Sequence, residues 1–292
     1  MFVHRLKLRP PQLSSKWIAR PLLEKRVTAA NVVGIVAGPG YGKTGLAARV
    51  YHAYAGPKIW YGLDRGDADL SVFAAHMQTA IAALGRGGDA ASDTSWRTGS
   101  ARETGSRFAE AIADFDALVV LDDVHVVEGS ASAAALAEFV ERAARAGTRL
   151  VLTGRALPLE VQAAAPRLAL AIVGTSDLRF DDDQALQFFA ADDARGSASR
   201  AALIGRAEGW PAGLTLIANA PASRAGVPHS ASGDEARSML FGYLATEALD
   251  NLSERERAFL LATGLPALPG WDYVTGLGSF DIYLQTKDLP TS

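Results

Sequence analysis

Residues 37–44 read Ala37-Gly38-Pro39-Gly40-Tyr41-Gly42-Lys43-Thr44, and Gly45 follows them. Glycines at 38, 40 and 42 let the backbone curl so that successive N–H groups face a common point, which is how a chain cradles phosphate. The flanks give that loop its context. Before it, 31–37 (NVVGIVA) is a short Val/Ile run of the kind that forms a buried parallel strand. After it, 43–54 carries helical spacing through Leu46, Val50 and Tyr54. A helix that starts at the loop turns its positive end toward the same anion. The stretch matches the Walker A pattern, with Ala37 in place of its first glycine. Gly38, Pro39, Gly40, Tyr41, Gly42, Lys43, Thr44 and Gly45 are therefore the candidate nucleotide contacts. Lys43 would neutralise β- and γ-phosphate charge, and the Thr44 hydroxyl is a hard-oxygen ligand suited to Mg²⁺.

Further along, 117–121 (ALVVL) is the most apolar short run, and Asp122-Asp123 follows it directly. A strand ending so delivers two carboxylates beside the loop. Asp122 would hold Mg²⁺ directly or through water, and Asp123 would orient or deprotonate an attacking water. Taken alone, an acid pair after a strand is also an ordinary Asx turn. Arg155 follows the run 148–153 (TRLVLT), at the edge where ligands bind in open α/β sheets. It would reach a γ-phosphate there, or be a plain surface arginine. His125 reads as a packed or capping histidine. Pro211 in Gly209-Trp210-Pro211 suits the first turn of a helix and could pack against base or ribose.

The remaining pattern is that of an α/β fold. Strands are expected at 58–63 and 168–173 besides those named, and helices at 70–84, 107–114 and 130–146, the last stopped by Gly147. Residues 85–106 turn to Gly, Ser, Thr, Asp and Arg and read as a solvated loop. Past 176 only helices are expected: 181–190, 199–207, one from Pro211, 235–249, and 253–263 with a Ser253/Glu256 capping box. The layout is an N-terminal arm (1–30), a nucleotide domain (31–176), a small helical lid (177–220), a linker (221–234) and a helical segment (235–292).

Composition narrows the partners. A formal charge of −3 gives no reason to expect nucleic acid or an anionic membrane to bind this stretch directly. Cysteine is absent, which excludes disulfides and thiolate metal sites and fits a cytoplasmic location. The basic start, MFVHRLKLRPPQ, has no apolar stretch before Pro10 and does not read as a secretory leader. No apolar run approaches the ~20 residues that span a bilayer.

Together these stretches resemble the signal-transduction ATPases with numerous domains (STAND). In particular they resemble the branch of MalT and the large ATP-binding LuxR-type transcriptional regulators. The resemblance rests on Arg20-Pro21, GPGYGKT at 38–44, IWYGLDRGD at 59–67, VVLDDVH at 119–125 and TGR at 153–155. It continues in LRFDDDQALQFF at 178–189, GWPAGL at 209–214 and FGYLATEALDNLSERERAFLLATG at 241–264. It implies a P-loop NTPase parallel sheet flanked by helices, then the small helical domain and the start of a winged-helix domain. It also implies an ATP/ADP switch with Mg²⁺ and weak hydrolysis, in which ADP holds a closed monomer and inducer plus ATP favours self-association. On the same ground Arg155 is a nucleotide sensor, Pro211 contacts bound nucleotide, and Arg20 lies near the adenine end. The final residues (GLGSFDIYLQTKDLPTS) read as the middle of a domain, so DNA would be met only through domains outside this stretch. The competing readings are an efficient AAA+-like ATPase, a nucleotide-free scaffold, and, more remotely, a small-molecule kinase.

Overall fold

The computed structural model describes residues 3–13, 17–84, 99–189 and 207–219. Its strands are β1 (Val32–Val36), β2 (Lys58–Gly62), β3 (Leu118–Asp122), β4 (Arg149–Gly154) and β5 (Ala171–Val173). Its helices are α1 (Pro21–Thr28), α2 (Lys43–Ala53), α3 (Leu70–Ala82), α4 (Ala101–Ile112), α5 (Ala131–Arg145), α6 (Leu159–Ala164), α7 (Thr175–Leu178), α8 (Asp182–Phe189) and α9 (Pro211–Asn219). The five strands form one sheet in the order β2-β3-β4-β1-β5, and every pairing is parallel. This is the expected α/β architecture.

Strand alternation explains why helices cover both faces. Ile59, Tyr61, Val119, Leu121, Leu150 and Leu152 point to one side, where they pack with α3, α4, α5 and α6. Trp60, Leu118, Val120, Val151, Val33 and Ile35 point to the other, against α1, α2 and Leu178. With successive side chains facing opposite ways, such strands must be apolar throughout and be buried on both sides. Register then fixes the functional edge. Val36 of β1 pairs with Gly154 of β4, and Gly62 of β2 pairs with Asp122 of β3, so loop, aspartates and Arg155 all leave the sheet at one end.

The structure corrects the expected course of the chain in several places. Helix α4 starts at Ala101, six residues before the expected 107, and takes the end of the expected loop with it. Its start is a capping box. Ser100 Oγ accepts from the Glu103 N–H (3.3 Å), and Glu103 Oε2 accepts from the Ser100 N–H (2.8 Å). Helices α6 and α7 lie in stretches to which the sequence reading gave no element, and β5 begins at Ala171, three residues after the expected 168. Within the N-terminal arm, Arg5–Leu8 forms a 3₁₀ turn. Lys7 Nζ from that turn reaches Asp64 (2.7 Å) and Asp67 (2.8 Å), and the fully buried Asp67 also accepts from Tyr61 Oη (2.6 Å). Burial pushes the Tyr61 hydroxyl far above its ordinary pKa, so it stays a neutral donor. The acidic residues of the 59–67 motif thus pin the arm to the end of β2. The helices expected at 235–249 and 253–263, the linker and most of the 199–207 helix lie outside the described residues.

Helices α4 and α5 cross closely because residue 105 has no side chain. A Cβ on Gly105 would stand 2.2 Å from the Ala135 carbonyl oxygen and 3.0 Å from the Phe139 nitrogen, both backbone atoms of α5. Gly105→Ala is expected to destabilise the fold. The overpacking cost of about 1–3 kcal/mol exceeds the up to ~1 kcal/mol that alanine gains over glycine within a helix. The measurement is thermal unfolding, and a melting temperature equal to or above wild type would contradict this packing.

Candidate functional site: the loop between β1 and α2

The loop leaves β1 beside β4, with the Ala37 N–H donating to the Gly154 carbonyl (3.3 Å). Gly40 (φ 75°) and Gly42 (φ 78°) adopt the left-handed conformation that the curl requires. Gly42 caps α2, so Lys43 and Thr44 open the helix at its positive end. Lys43 is 8% exposed, and its Nζ donates back to the Gly38 carbonyl (2.9 Å).

Thr44 and Asp122 are brought together as expected. Thr44 Oγ1 donates to Asp122 Oδ1 at 3.0 Å, joining positions 78 residues apart. Asp122 is 6% exposed, and burial raises its carboxyl pKa above the ordinary range. The hydrogen bonds from Thr153 and Thr44 and the charge of Lys43 pull the other way, while the Asp123 charge adds to the rise. A buried carboxylate with this balance favours a nearby cation. Among the described residues no group of three or more His, Cys, Asp or Glu could hold a metal alone. A hydroxyl and one carboxylate do suit Mg²⁺, which keeps several waters and takes phosphate oxygens as its other ligands.

Thr153 is a site residue that sequence reasoning missed. Its hydroxyl donates to Asp122 Oδ1 and accepts the Asp123 N–H (3.1 Å), so one side chain on β4 fixes both aspartates. Asp123 has φ 59° and ψ 39°, the left-handed region that aspartate tolerates better than most residues. Its side chain is 45% exposed and faces His125, with Nδ1 3.8 Å from Asp123 Oδ1. Burial lowers the His125 pKa; the Asp123 charge opposes this, and the charges of Arg155 and Lys43 reinforce it. His125 is therefore neutral at physiological pH, in the joint field of two of the expected phosphate-binding cations.

The remaining candidates take less expected positions. Arg20 is buried, and its guanidinium donates to the carbonyls of Asp177 (2.7 Å), Leu178 (2.7 Å) and Arg179 (2.8 Å). It ties the start of α1 to the end of α7. The neighbour that approaches the loop is Trp17, whose ring lies on the first turn of α2. A Cβ on Gly45 would stand 2.0 Å from Trp17 Cζ3. Pro211 opens α9 as expected, but the contacts with the loop come from residues on either side of it. Trp210 Nε1 donates to the Pro39 carbonyl (3.0 Å), and the Ala212 N–H donates to the Gly40 carbonyl (3.1 Å). Nothing in local sequence foretells a meeting across 171 residues. Elsewhere, no described helix is long and apolar enough to cross a membrane.

No protein-family profile matches the chain. It is 31% identical over 276 residues to the HTH-type transcriptional regulator MalT of Klebsiella pneumoniae, covering 88% of this chain and 30% of that protein. It is 30% identical over 269 residues to the MalT of Serratia proteamaculans, covering 87% of this chain and 29% of that one. The chain thus spans less than a third of the length of these curated relatives. Among solved structures it is similar to the Signal Transduction ATPase with Numerous Domains protein with a tetratricopeptide repeat sensor from Pyrococcus horikoshii. That likeness has a TM-score of 0.58 at 17% identity and covers 79% of this chain and 33% of the other, and it bears on the fold alone. With the parallel sheet and the loop between β1 and α2, the sequence likenesses mark the chain as a MalT-like region with a P-loop NTPase fold.

Proposed function

We propose that the chain is an ATP/ADP-binding switch module with weak ATPase activity, from a bacterial-type transcriptional regulator. One observation carries the reading: the 3.0 Å contact of Thr44 with the buried Asp122 beside a loop that opens a helix. In this reading residues 38–45 hold the phosphates and Lys43 neutralises them. Thr44 and Asp122 hold Mg²⁺, which when bound would spread phosphate charge. Asp123 orients the attacking water, Arg155 senses the γ-phosphate, and Pro211 lies against the nucleotide. Arg20 serves the site by holding the arm and α7 in place rather than by direct contact. Residues 31–176 form the nucleotide domain and 177–220 its lid. Self-association in the ATP state, an inducer and DNA belong to the longer protein.

The test is to denature the purified chain, identify any released nucleotide, and titrate the emptied protein. ADP should bind in the micromolar range or tighter, as a built phosphate loop with a basic side chain supports. Hydrolysis should be slow, on the order of 10⁻⁴ to 10⁻² s⁻¹, as in switch GTPases without their activators. The physical reason is that Asp123 is open to solvent, and water weakens any electrostatic help given to the transition state. A turnover above roughly 1 s⁻¹ would instead favour an efficient ATPase. Failure to bind ADP would leave a nucleotide-free scaffold.

A further inference from the structure

The turn leading into α9 grips the phosphate loop from its outer side. Two donors do it: Trp210 Nε1 to the Pro39 carbonyl (3.0 Å) and the Ala212 N–H to the Gly40 carbonyl (3.1 Å). No described peptide bond is cis. In a planar trans peptide the carbonyl and the following N–H point in opposite directions. Holding the Pro39 carbonyl outward therefore turns the Gly40 N–H away from the turn, and holding the Gly40 carbonyl does the same for the Tyr41 N–H. These belong to the row of N–H groups on which anion binding by such a loop depends.

The fit between the two segments is close. A Cβ on Gly40 would stand 2.4 Å from Ala212 Cβ and 2.9 Å from Trp210 Nε1. The turn is itself anchored. The Trp210 N–H donates to the Ala207 carbonyl (2.8 Å), and the Gly209 carbonyl accepts from the Phe180 N–H (2.8 Å). The donors on the loop are thus fixed to the small helical segment that carries Ala185, Ala207 and Leu214 in its own apolar cluster.

We infer that residues 209–212 are a latch that pre-shapes the phosphate loop, with Trp210 as a positioning residue for nucleotide that itself touches none. The inference rests on the nucleotide-binding reading above. Its consequence is reciprocal: whatever releases the latch loosens the nucleotide, and nucleotide binding tightens the latch by the same factor.

The experiment uses the 292-residue chain, with ADP as the probe. Trp210→Phe keeps an aromatic ring and removes the N–H. It should weaken ADP by roughly three- to tenfold, as for loss of one neutral hydrogen bond. It should also speed amide exchange at Gly40 and Tyr41 in the nucleotide-free protein. In the wild type, ADP should slow exchange at the Ala212 amide, whose partner is the loop. A mere packing role would lower the melting temperature and leave ADP affinity and loop exchange unchanged, which would overturn the latch. Should Trp210→Phe fail to fold, the wild-type Ala212 amide decides, and no response to ADP there would overturn it. If the wild type binds no ADP, the nucleotide reading falls by itself. Loop exchange in Trp210→Phe then still judges the latch, with faster exchange supporting it and unchanged exchange overturning it.

Discussion

Replacing Lys43 by alanine is expected to weaken both ADP and ATP by about a hundredfold. The side chain is 8% exposed and emerges from the first residue of α2. Its ammonium now rests on the Gly38 carbonyl at 2.9 Å, inside the loop that would receive phosphate. A charge-assisted hydrogen bond contributes about 1.5–3 kcal/mol, and a little under 3 kcal/mol is a hundredfold in affinity. The β-phosphate is common to both nucleotides, so both should lose. Calorimetric titration of Lys43→Ala with ADP, beside a thermal melt to confirm folding, reads the effect. Unchanged affinity in a folded variant would return 37–44 to a glycine-rich turn before a helix.

How much of this was readable in advance depended on distance along the chain. The strands were legible because burial on both faces demands short apolar runs, and 32–37 (VVGIVA), 117–121 (ALVVL) and 150–152 (LVL) are such runs. The loop was legible because its chemistry lies in eight consecutive residues. The start of helix α4 was not, although Ser100 and Glu103 spell out its cap, because the polar composition of 85–106 outweighed that signal. Gly105, inside that polar stretch, is where α4 packs against α5. Thr153 was hidden for another reason. A threonine at the end of a strand is unremarked until β3 and β4 are paired, and only then does its hydroxyl meet both aspartates. Arg20 shows the same limit, since an arginine near a nucleotide loop invites a ligand role, whereas its partners are carbonyls at 177–179, more than 150 residues away.

Arg155→Ala is expected to cost ATP roughly ten- to a hundredfold in affinity while sparing ADP, the span given by one charge-assisted contact made in a single nucleotide state. Arg155 directly follows Gly154, the last residue of β4, and the Ala37 N–H at the base of the loop is bonded to that same Gly154. Its positive charge and that of Lys43 both lower the His125 pKa, against the charge of Asp123, whose Oδ1 stands 3.8 Å from His125 Nδ1. The two cations differ in footing. Lys43 rises from within the loop and would meet any phosphate held there, whereas Arg155 follows β4, the strand paired with the one that ends in Asp122. On the proposed reading a third phosphate, present only in ATP, is the one Arg155 would meet. A ligand moves a two-state protein only through contacts that differ between its states, and a guanidinium engaged by ATP alone is such a contact. The measurement is a pair of titrations of Arg155→Ala, one with ADP and one with a non-hydrolysable ATP analogue. Equal losses for both would make Arg155 a general phosphate clamp without discrimination. No loss for either would leave it as a surface arginine at the end of a strand, and the switch would need another sensor.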